Sequence, residues 1–354
     1  MKVGAARQAA VDWVLHDACH QEGFSGAYFS GSTLTLPAEA ELPATSDVDV
    51  MVVTTKAVPP PKLGKFVYHD ALLEVTYIPA HQLASAQDVL ASYHLAGSFR
   101  IDTIITDPTG DLHSLYATVS RLFAERTWVR RRCENARQKI EDGLHTIDIT
   151  APWHDQVTAW LFPTGVTTHV LLVAALRNPT VRLRYLAARN VLAEYGYVDM
   201  YEELLDLLGC MELTPQQVKR HLSNLAKTMD AAAAIVRTPF FFSSDITTPE
   251  ARQIALDGSL DLIQSGYHRE AIFWIVATFA RCHKMLAADA PQERQRQLAP
   301  AFDYLLADLG ITSSANLLTR ASRVLHFLPK LWKTTEAILA SNPEIRGNAS
   351  NIQQ

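Results

Sequence analysis

The chain has 354 residues, of which 48% are hydrophobic and 19% are charged. This composition is typical of a globular protein with a sizeable core, and it excludes a disordered or fibrous chain. The formal net charge is −5, from 32 lysines and arginines against 37 aspartates and glutamates, which argues against a protein that binds long nucleic acid through its whole surface.

The first 150 residues mix short strand-like segments with helical ones. Residues 7–20 carry apolar side chains at helical spacing and are predicted to form a helix. Segments 27–30, 48–53 and 72–78 are predicted strands, because the last two are rich in β-branched residues and end at polar or proline-rich sequence. Between them, residues 57–65 (AVPPPKLGK) are predicted to be an irregular connector.

After Pro152 the pattern becomes almost entirely helical. Glycines and prolines divide this part of the chain into segments of helical periodicity. Helices are predicted near residues 165–176, 180–196, 198–209, 215–236, 249–265, 268–286, 298–309 and 313–340. The fold class is therefore α+β, with a small mixed-sheet domain at 1–150, an all-helical domain at 151–340 and a cleft between them. Residues 341–354 are polar and are predicted to be a disordered tail.

Three sequence features bear on location. The longest strongly apolar run, Ala271 to Ala280, covers half a bilayer and predicts a buried helix and no membrane span. The first residues are polar every few positions, so we expect no secretory signal. The four cysteines lie far apart and match neither a zinc pattern nor a disulfide framework, which favours the reducing cytoplasm.

The chemistry is concentrated in two predicted strands. Asp47 and Asp49 alternate with valines, so both side chains point to one face of the strand. Like charges held together there are costly unless a cation neutralises them, and carboxylate oxygens suit Mg²⁺. The next strand supplies Glu74, an unusual residue between Leu73 and Val75. These acids are the predicted catalytic and metal-binding residues.

A glycine and a serine lie before the acid pair, with fourteen residues between Ser32 and Asp47. Gly31 lets the backbone approach a phosphate closely, and the N–H groups of such a turn, with Ser32, can hold phosphate oxygens. Metal-binding acids, backbone donors and a further carboxylate together predict a site for phosphoryl transfer.

The residues Gly31-Ser32, Asp47-x-Asp49 and Glu74 resemble the signature of the polymerase-beta-like nucleotidyltransferase superfamily. Within it, SDVDVMVV followed by LLEVT is most similar to bacterial aminoglycoside nucleotidyltransferases. The resemblance implies transfer of AMP from ATP to a hydroxyl of a small, aminoglycoside-like acceptor, with Mg²⁺ as cofactor. The interval from Gly31 to Asp47 is longer than usual in that superfamily, which indicates an insertion at residues 37–43.

Cationic helices are the weaker candidates for nucleotide binding. Arg137 and Lys139 lie on one predicted helix and could neutralise a triphosphate, although a basic run is often a solvated face. Arg182, Tyr185 and Arg189 are spaced to share one helical face and could hold phosphates and a base.

Several alternatives remain open at this stage. The same chemistry could act on another antibiotic, a natural product or a protein hydroxyl. A non-catalytic nucleotide-binding or antitoxin-like module is the alternative outside enzymes. Glu74 could be a third metal ligand or the general base that activates the acceptor hydroxyl. The sequence leaves the oligomeric state undefined.

Overall fold

The computed structural model describes residues 1–43 and 45–347, and the chain divides into two compact units. The first comprises residues 1–132 together with the segment from Pro343 onward, and the second comprises Cys133 to Asn342. The sequence placed this division near residue 150, where strand-like runs stop. The structural division falls earlier, within the helix formed by residues 126–145.

The described part of the first unit contains a five-stranded mixed sheet. Its strands are β1 (Phe24–Ser30), β2 (Val48–Thr54), β3 (Gly64–Tyr68), β4 (Ala71–Pro79) and β5 (Ile104–Thr106). Their order across the sheet is β3-β4-β2-β1-β5. Strands β2 and β4 pair in parallel, and the other neighbouring strands are antiparallel.

The three predicted strands are confirmed as β1, β2 and β4, whereas β3 and β5 are additional. Strand β3 begins within the segment predicted to be a connector, directly after its prolines. A two-residue turn at His69 and Asp70, both with positive φ, joins β3 to β4 as a hairpin. The three prolines at 59–61, which led residues 57–65 to be assigned to a connector, concealed the start of this short strand.

The helices of the first unit pack against, or follow, this sheet. They are α1 (Val3–His16), α2 (Ala86–Ala91), α3 (Asp111–Leu122) and the first part of α4 (Arg126–His145). Alanines of α1, together with Trp13 and Val14, form one buried cluster with Val48, Val50 and Val52 of β2. Because side chains alternate along a strand, the residues between these valines face away from the core.

The end of the described chain belongs to the first unit. The Arg346 N–H donates to the Ala124 carbonyl at 2.9 Å, and the Arg126 N–H donates to the Arg346 carbonyl at 2.9 Å. Within residues 341–347, which the sequence assigned to a disordered tail, Ser341 thus ends a helix and Arg346 is held by backbone hydrogen bonds. The rest of that predicted tail, residues 348–354, lies outside the described residues.

In its described residues, the second unit consists of helices and the loops that join them. Its helices are the remainder of α4, α5 (Trp153–Ala174), α6 (Arg184–Glu194), α7 (Val198–Leu208), α8 (Pro215–Ile235), α9 (Ser244–Thr247), α10 (Pro249–Gln264), α11 (Ile272–Asp289), α12 (Gln292–Asp308) and α13 (Ser314–Ser341). The described residues contain no strand after Thr106, in agreement with the predicted α+β class.

Two helices start earlier than predicted, and each contains a proline. Helix α5 begins at Trp153 and α12 at Gln292, with Pro163 and Pro300 inside them. An internal proline costs a helix about 3 kcal/mol. Most of α5 is buried, so its packing outweighs that cost.

Among the residues that the structure describes, two helices are long and apolar enough to cross a membrane. In α5 and in residues 269–289, however, 78% and 67% of the apolar window is buried inside the protein. Such burial is typical of core helices, as the sequence predicted for Ala271 to Ala280.

Candidate functional site

Three carboxylates converge on the face of the sheet opposite α1. Asp47 directly precedes β2, Asp49 lies within it, and the parallel register sets Asp49 beside Glu74 of β4. One oxygen of each carboxylate lies within 4.8 Å of the others. The predicted convergence of these three side chains is therefore confirmed.

Alternation along the strands is the cause of this convergence. The neighbours of Asp49 along its strand, Val48 and Val50, are buried, and so are the neighbours of Glu74, Leu73 and Val75. Because side chains alternate, the acids emerge on the other face of the sheet. They are not freely solvated there, since the side chains of Asp47 and Glu74 are only 15% and 16% exposed. Three like charges at this separation need cationic compensation.

Two lysines that the sequence analysis did not select provide compensation. The Lys65 ammonium donates to carboxylate oxygens of both Asp47 and Glu74, and the Lys62 ammonium donates to the other oxygen of Glu74. Lys65 lies directly opposite Glu74 in the β3–β4 register. Both lysines lie in the K-L-G-K segment of the sequence, but their position relative to Glu74 can be predicted only once β3 is recognised as a strand.

The three acids differ in the direction of their pKa shifts, because they have different charged partners. Burial, reinforced by the charges of Asp47 and Glu74, raises the pKa of Asp49 well above its usual range. Burial also raises the pKa of Asp47, although Lys65 opposes this. Burial would raise the pKa of Glu74 too, but Lys65 and Lys62 outweigh it and hold that pKa below its ordinary value. Asp49 is thus the acid whose charge is least compensated.

This imbalance predicts a pH-dependent gain in stability for Asp49→Asn. A carboxyl whose pKa is raised on folding stabilises the fold while protonated, and that contribution is lost as the pH rises above the unfolded pKa of about 3.9. In chelator-treated protein at pH 8, we expect Asp49→Asn to unfold with a free energy about 1–2 kcal/mol larger than the wild type. Urea denaturation at several pH values measures the difference.

The advantage of Asp49→Asn should shrink as the pH falls towards 4, because the wild-type carboxyl then becomes neutral as well. Asp70→Asn is the matched control, since Asp70 is an exposed turn residue of the same sheet and asparagine also tolerates its positive φ. A gain that is equal at pH 5 and pH 8 would contradict the assignment of charge strain to Asp49.

The Gly31-Ser32 turn lies against the same acids. Ser30, the last residue of β1, is opposite Asp49 in the register, and Gly31 follows with φ +75°. A Cβ placed on Gly31 would overlap the Asp49 carboxylate. Ser32 is exposed and opens a single 3₁₀ turn. The structure thus brings Gly31 and the neighbouring Ser32 to the carboxylate cluster.

The loop that follows Ser32 is fixed to α1. The Arg7 guanidinium donates to the Thr33 carbonyl and, at 3.1 Å, to the Leu36 carbonyl. The predicted insertion at 37–43 is tied to the same helix, since the Gly4 N–H donates to the Ala38 carbonyl at 2.8 Å. Arg7 therefore positions the turn, and no motif in the sequence marked it.

The donor set fits a hard divalent cation. Three carboxylates supply oxygen ligands, which Mg²⁺ prefers, and their oxygens are close enough to share one ion. Asp47, Asp49 and Glu74 would hold it. Lys65 contacts one oxygen of Asp47 and one of Glu74, so the ammonium and a metal would draw on the same two carboxylates.

The remaining predicted nucleotide-binding residues belong to the second unit. The Arg137 Nε donates to Glu141 at 2.9 Å, and Lys139 is exposed on the same helix. Arg182 precedes α6 rather than lying on it, and donates to the Gly258 carbonyl at 3.1 Å. Arg189 is exposed beside the Tyr267 ring. The shared helical face predicted for Arg182, Tyr185 and Arg189 is therefore wrong for Arg182.

Tyr185 has a packing role in the structure. Its side chain is fully buried, and its ring centroid lies 6.1 Å from that of Phe273. A ring inside the core cannot stack on a nucleotide base, so this part of the prediction is corrected. Burial also raises the pKa of its hydroxyl, as expected for a phenol without access to water.

Comparison with known proteins adds no assignment. No protein-family model matches the chain, and no curated protein matches it. Any proposal of function therefore depends on the residues of the site and on the resemblance of its motif.

Proposed function

We propose that the protein is a nucleotidyltransferase that moves AMP from ATP to a hydroxyl of a small molecule and releases pyrophosphate. The observation that carries the proposal is the cluster of Asp47, Asp49 and Glu74 on two adjacent strands, with Gly31 in contact with it. An aminoglycoside-like antibiotic is the acceptor favoured by the resemblance of the motif.

Each residue has a distinct task in this proposal. Asp47 and Asp49 bind Mg²⁺, which when bound supplies positive charge that stabilises the transferring phosphoryl group. Gly31 leaves room for the triphosphate beside the backbone, and Ser32 offers a hydroxyl and an N–H to its oxygens. The half-buried setting of the acids strengthens these interactions relative to water.

The direct test is pyrophosphate release with Mg²⁺ and each nucleoside triphosphate across a panel of hydroxylated antibiotics. Release that requires an acceptor, with a mass increase of one nucleoside monophosphate on that acceptor, would support the proposal. Protein hydroxyls and natural products extend the panel and address the second class of acceptor. Absence of turnover with every triphosphate and acceptor, in protein that binds nucleotide, would favour a binding module.

Glu74→Gln separates two roles of the third acid. As a general base, Glu74 contributes about 10²–10⁴ to the rate, so the variant should lose that factor together with the acidic limb of the pH–rate profile. ATP binding should survive, because Asp47 and Asp49 remain. Steady-state kinetics and calorimetric titration with Mg²⁺ and ATP measure the two effects.

Loss of Mg²⁺-dependent ATP binding in Glu74→Gln would instead identify Glu74 as chiefly a metal ligand. The structure supplies an argument for that role, since Lys65 and Lys62 lower the pKa of Glu74 and so make it a weaker base. A variant with unchanged binding and rate would remove Glu74 from the proposed site.

A non-catalytic nucleotide-binding module is the second candidate. The observation that favours it is the pairing of Lys65 with both Asp47 and Glu74, which compensates the acids without any metal. Such a module would bind nucleotide without releasing pyrophosphate, so the same assay distinguishes the two functions.

A further inference from the structure

We propose that Lys65, assisted by Lys62, is a displaceable counter-ion that couples binding of the divalent cation to binding of a polyphosphate. This inference rests on the proposed function and assigns a role to two residues outside the motif. In the absence of ligands, the ammonium groups pair with Asp47 and Glu74. When a metal takes the carboxylate oxygens, the displaced ammonium groups become available to the anion that accompanies it.

The geometry places the two lysines in competition with a metal, most directly at Glu74, where each carboxylate oxygen accepts from one ammonium. Lys65 contacts one oxygen of Asp47 and one of Glu74, while Lys62 contacts the second oxygen of Glu74. A cation held by all three acids needs oxygens from these same carboxylates. The Lys65 side chain is only 11% exposed, so its ammonium is inside the cluster and cannot simply be bypassed.

A charge count then gives the direction of the coupling. Counted with all three carboxylates ionised, as metal binding requires, the acids and the two ammonium groups have a net charge of −1, and a divalent cation changes it to +1. The site therefore attracts a polyphosphate only after the metal has entered, and it holds the metal firmly only when an anion takes up the displaced lysines. Metal and polyphosphate should bind cooperatively, with each weak alone.

Removing Lys65 should affect the two ligands in opposite directions. In Lys65→Met the cluster with one remaining lysine has a charge of −2, and a divalent cation brings it to zero. Mg²⁺ alone should then bind more tightly, while the Mg²⁺-loaded site should lose attraction for a polyphosphate. A lysine that served merely to stabilise the fold would produce no such opposed pair of changes.

The experiment is calorimetric titration of the full chain with Mg²⁺ alone, and with the non-hydrolysable analogue α,β-methylene-ATP at low and high Mg²⁺. In the wild type, we expect Mg²⁺ to increase the affinity for the analogue by about 10-fold or more, within the usual range of coupling between sites. In Lys65→Met, we expect Mg²⁺ alone to bind at least about 5-fold more tightly and the coupling to fall below about 3-fold.

Controls keep the outcome interpretable. Lys56→Met makes the same substitution in the same unit, but Lys56 pairs with an exposed carboxylate, Glu22, so both titrations should match the wild type. Lys65→Arg keeps the charge and should retain the coupling. Lys62→Met removes one contact with Glu74 and should give the same changes at smaller size, which provides a test if Lys65→Met does not fold.

Two results would overturn the proposal. Unchanged Mg²⁺ affinity in Lys65→Met and Lys62→Met would exclude competition, and a gain in affinity for both ligands would exclude a role in binding the polyphosphate. If the wild type binds no nucleotide at any Mg²⁺ concentration, the proposed function and the polyphosphate half both fail. The Mg²⁺-only titrations would still decide whether the lysine competes with the metal.

Discussion

Asp49→Asn and Asp47→Asn are each expected to abolish nucleotidyl transfer while leaving the protein folded. Each loses one of the two strand carboxylates that hold the metal, and metal-ion stabilisation of phosphoryl transfer amounts to several kcal/mol, or about 10⁴-fold in rate. Pyrophosphate release with a true acceptor measures the effect. Circular dichroism and urea denaturation establish that the fold is retained.

The same Asp49→Asn substitution is predicted above to raise the stability of the metal-free protein. A variant that is more stable and inactive would indicate that the wild-type acid is kept for binding rather than for folding. Asp70→Asn controls for the chemical change in an exposed turn. Near-wild-type turnover in either Asp47→Asn or Asp49→Asn would refute the metal assignment.

Gly31→Ala is expected to cost about 2–6 kcal/mol in the free energy of unfolding. Its backbone, with φ +75° and ψ −159°, lies in a region that only glycine adopts readily, at a cost of about 1–3 kcal/mol for other residues. The added Cβ would also overlap the Asp49 carboxylate, which must move, and such overpacking costs about 1–3 kcal/mol more. Urea denaturation measures the loss.

Gly110→Ala separates these two contributions. Gly110 belongs to the same unit and also has positive φ, +79°, but a Cβ there would meet no atom within 4 Å. We expect this substitution to cost about 1–2 kcal/mol. Equal losses at the two positions would show that the proximity of Gly31 to Asp49 has no energetic consequence.

The convergence of the three acids could be predicted from the sequence because the alternation of side chains along a strand is a local property. The repeat of valines around Asp49 and the apolar neighbours of Glu74 determine which face each acid occupies. Pairing of β2 with β4 then brings Asp49 beside Glu74, and the register follows from burying the valines. The α+β class was predictable for the same reason, since periodicity distinguishes strands from helices.

The lysines and Tyr185 could not be placed by the same reasoning. Lys65 is informative only through its partner across β3 and β4, and β3 is short and begins within the connector predicted from three prolines. Tyr185 was assigned from helical spacing, which specifies a face but not whether that face is solvent-exposed or buried. Likewise, Pro163 signals a break locally, whereas α5 continues through it because tertiary packing outweighs the local cost.

The acids and their lysine counter-ions lie close together along the sequence, and this proximity has a consequence during synthesis. Strands β2, β3 and β4 leave the ribosome in one continuous stretch, so Lys62 and Lys65 are available to the carboxylates as soon as the hairpin can form. The segment from Pro343 that completes the first unit follows roughly 15–50 s later, at 5–20 residues per second. During that interval the nascent sheet carries its own cations and does not depend on capturing a metal ion in order to bring three negative charges together.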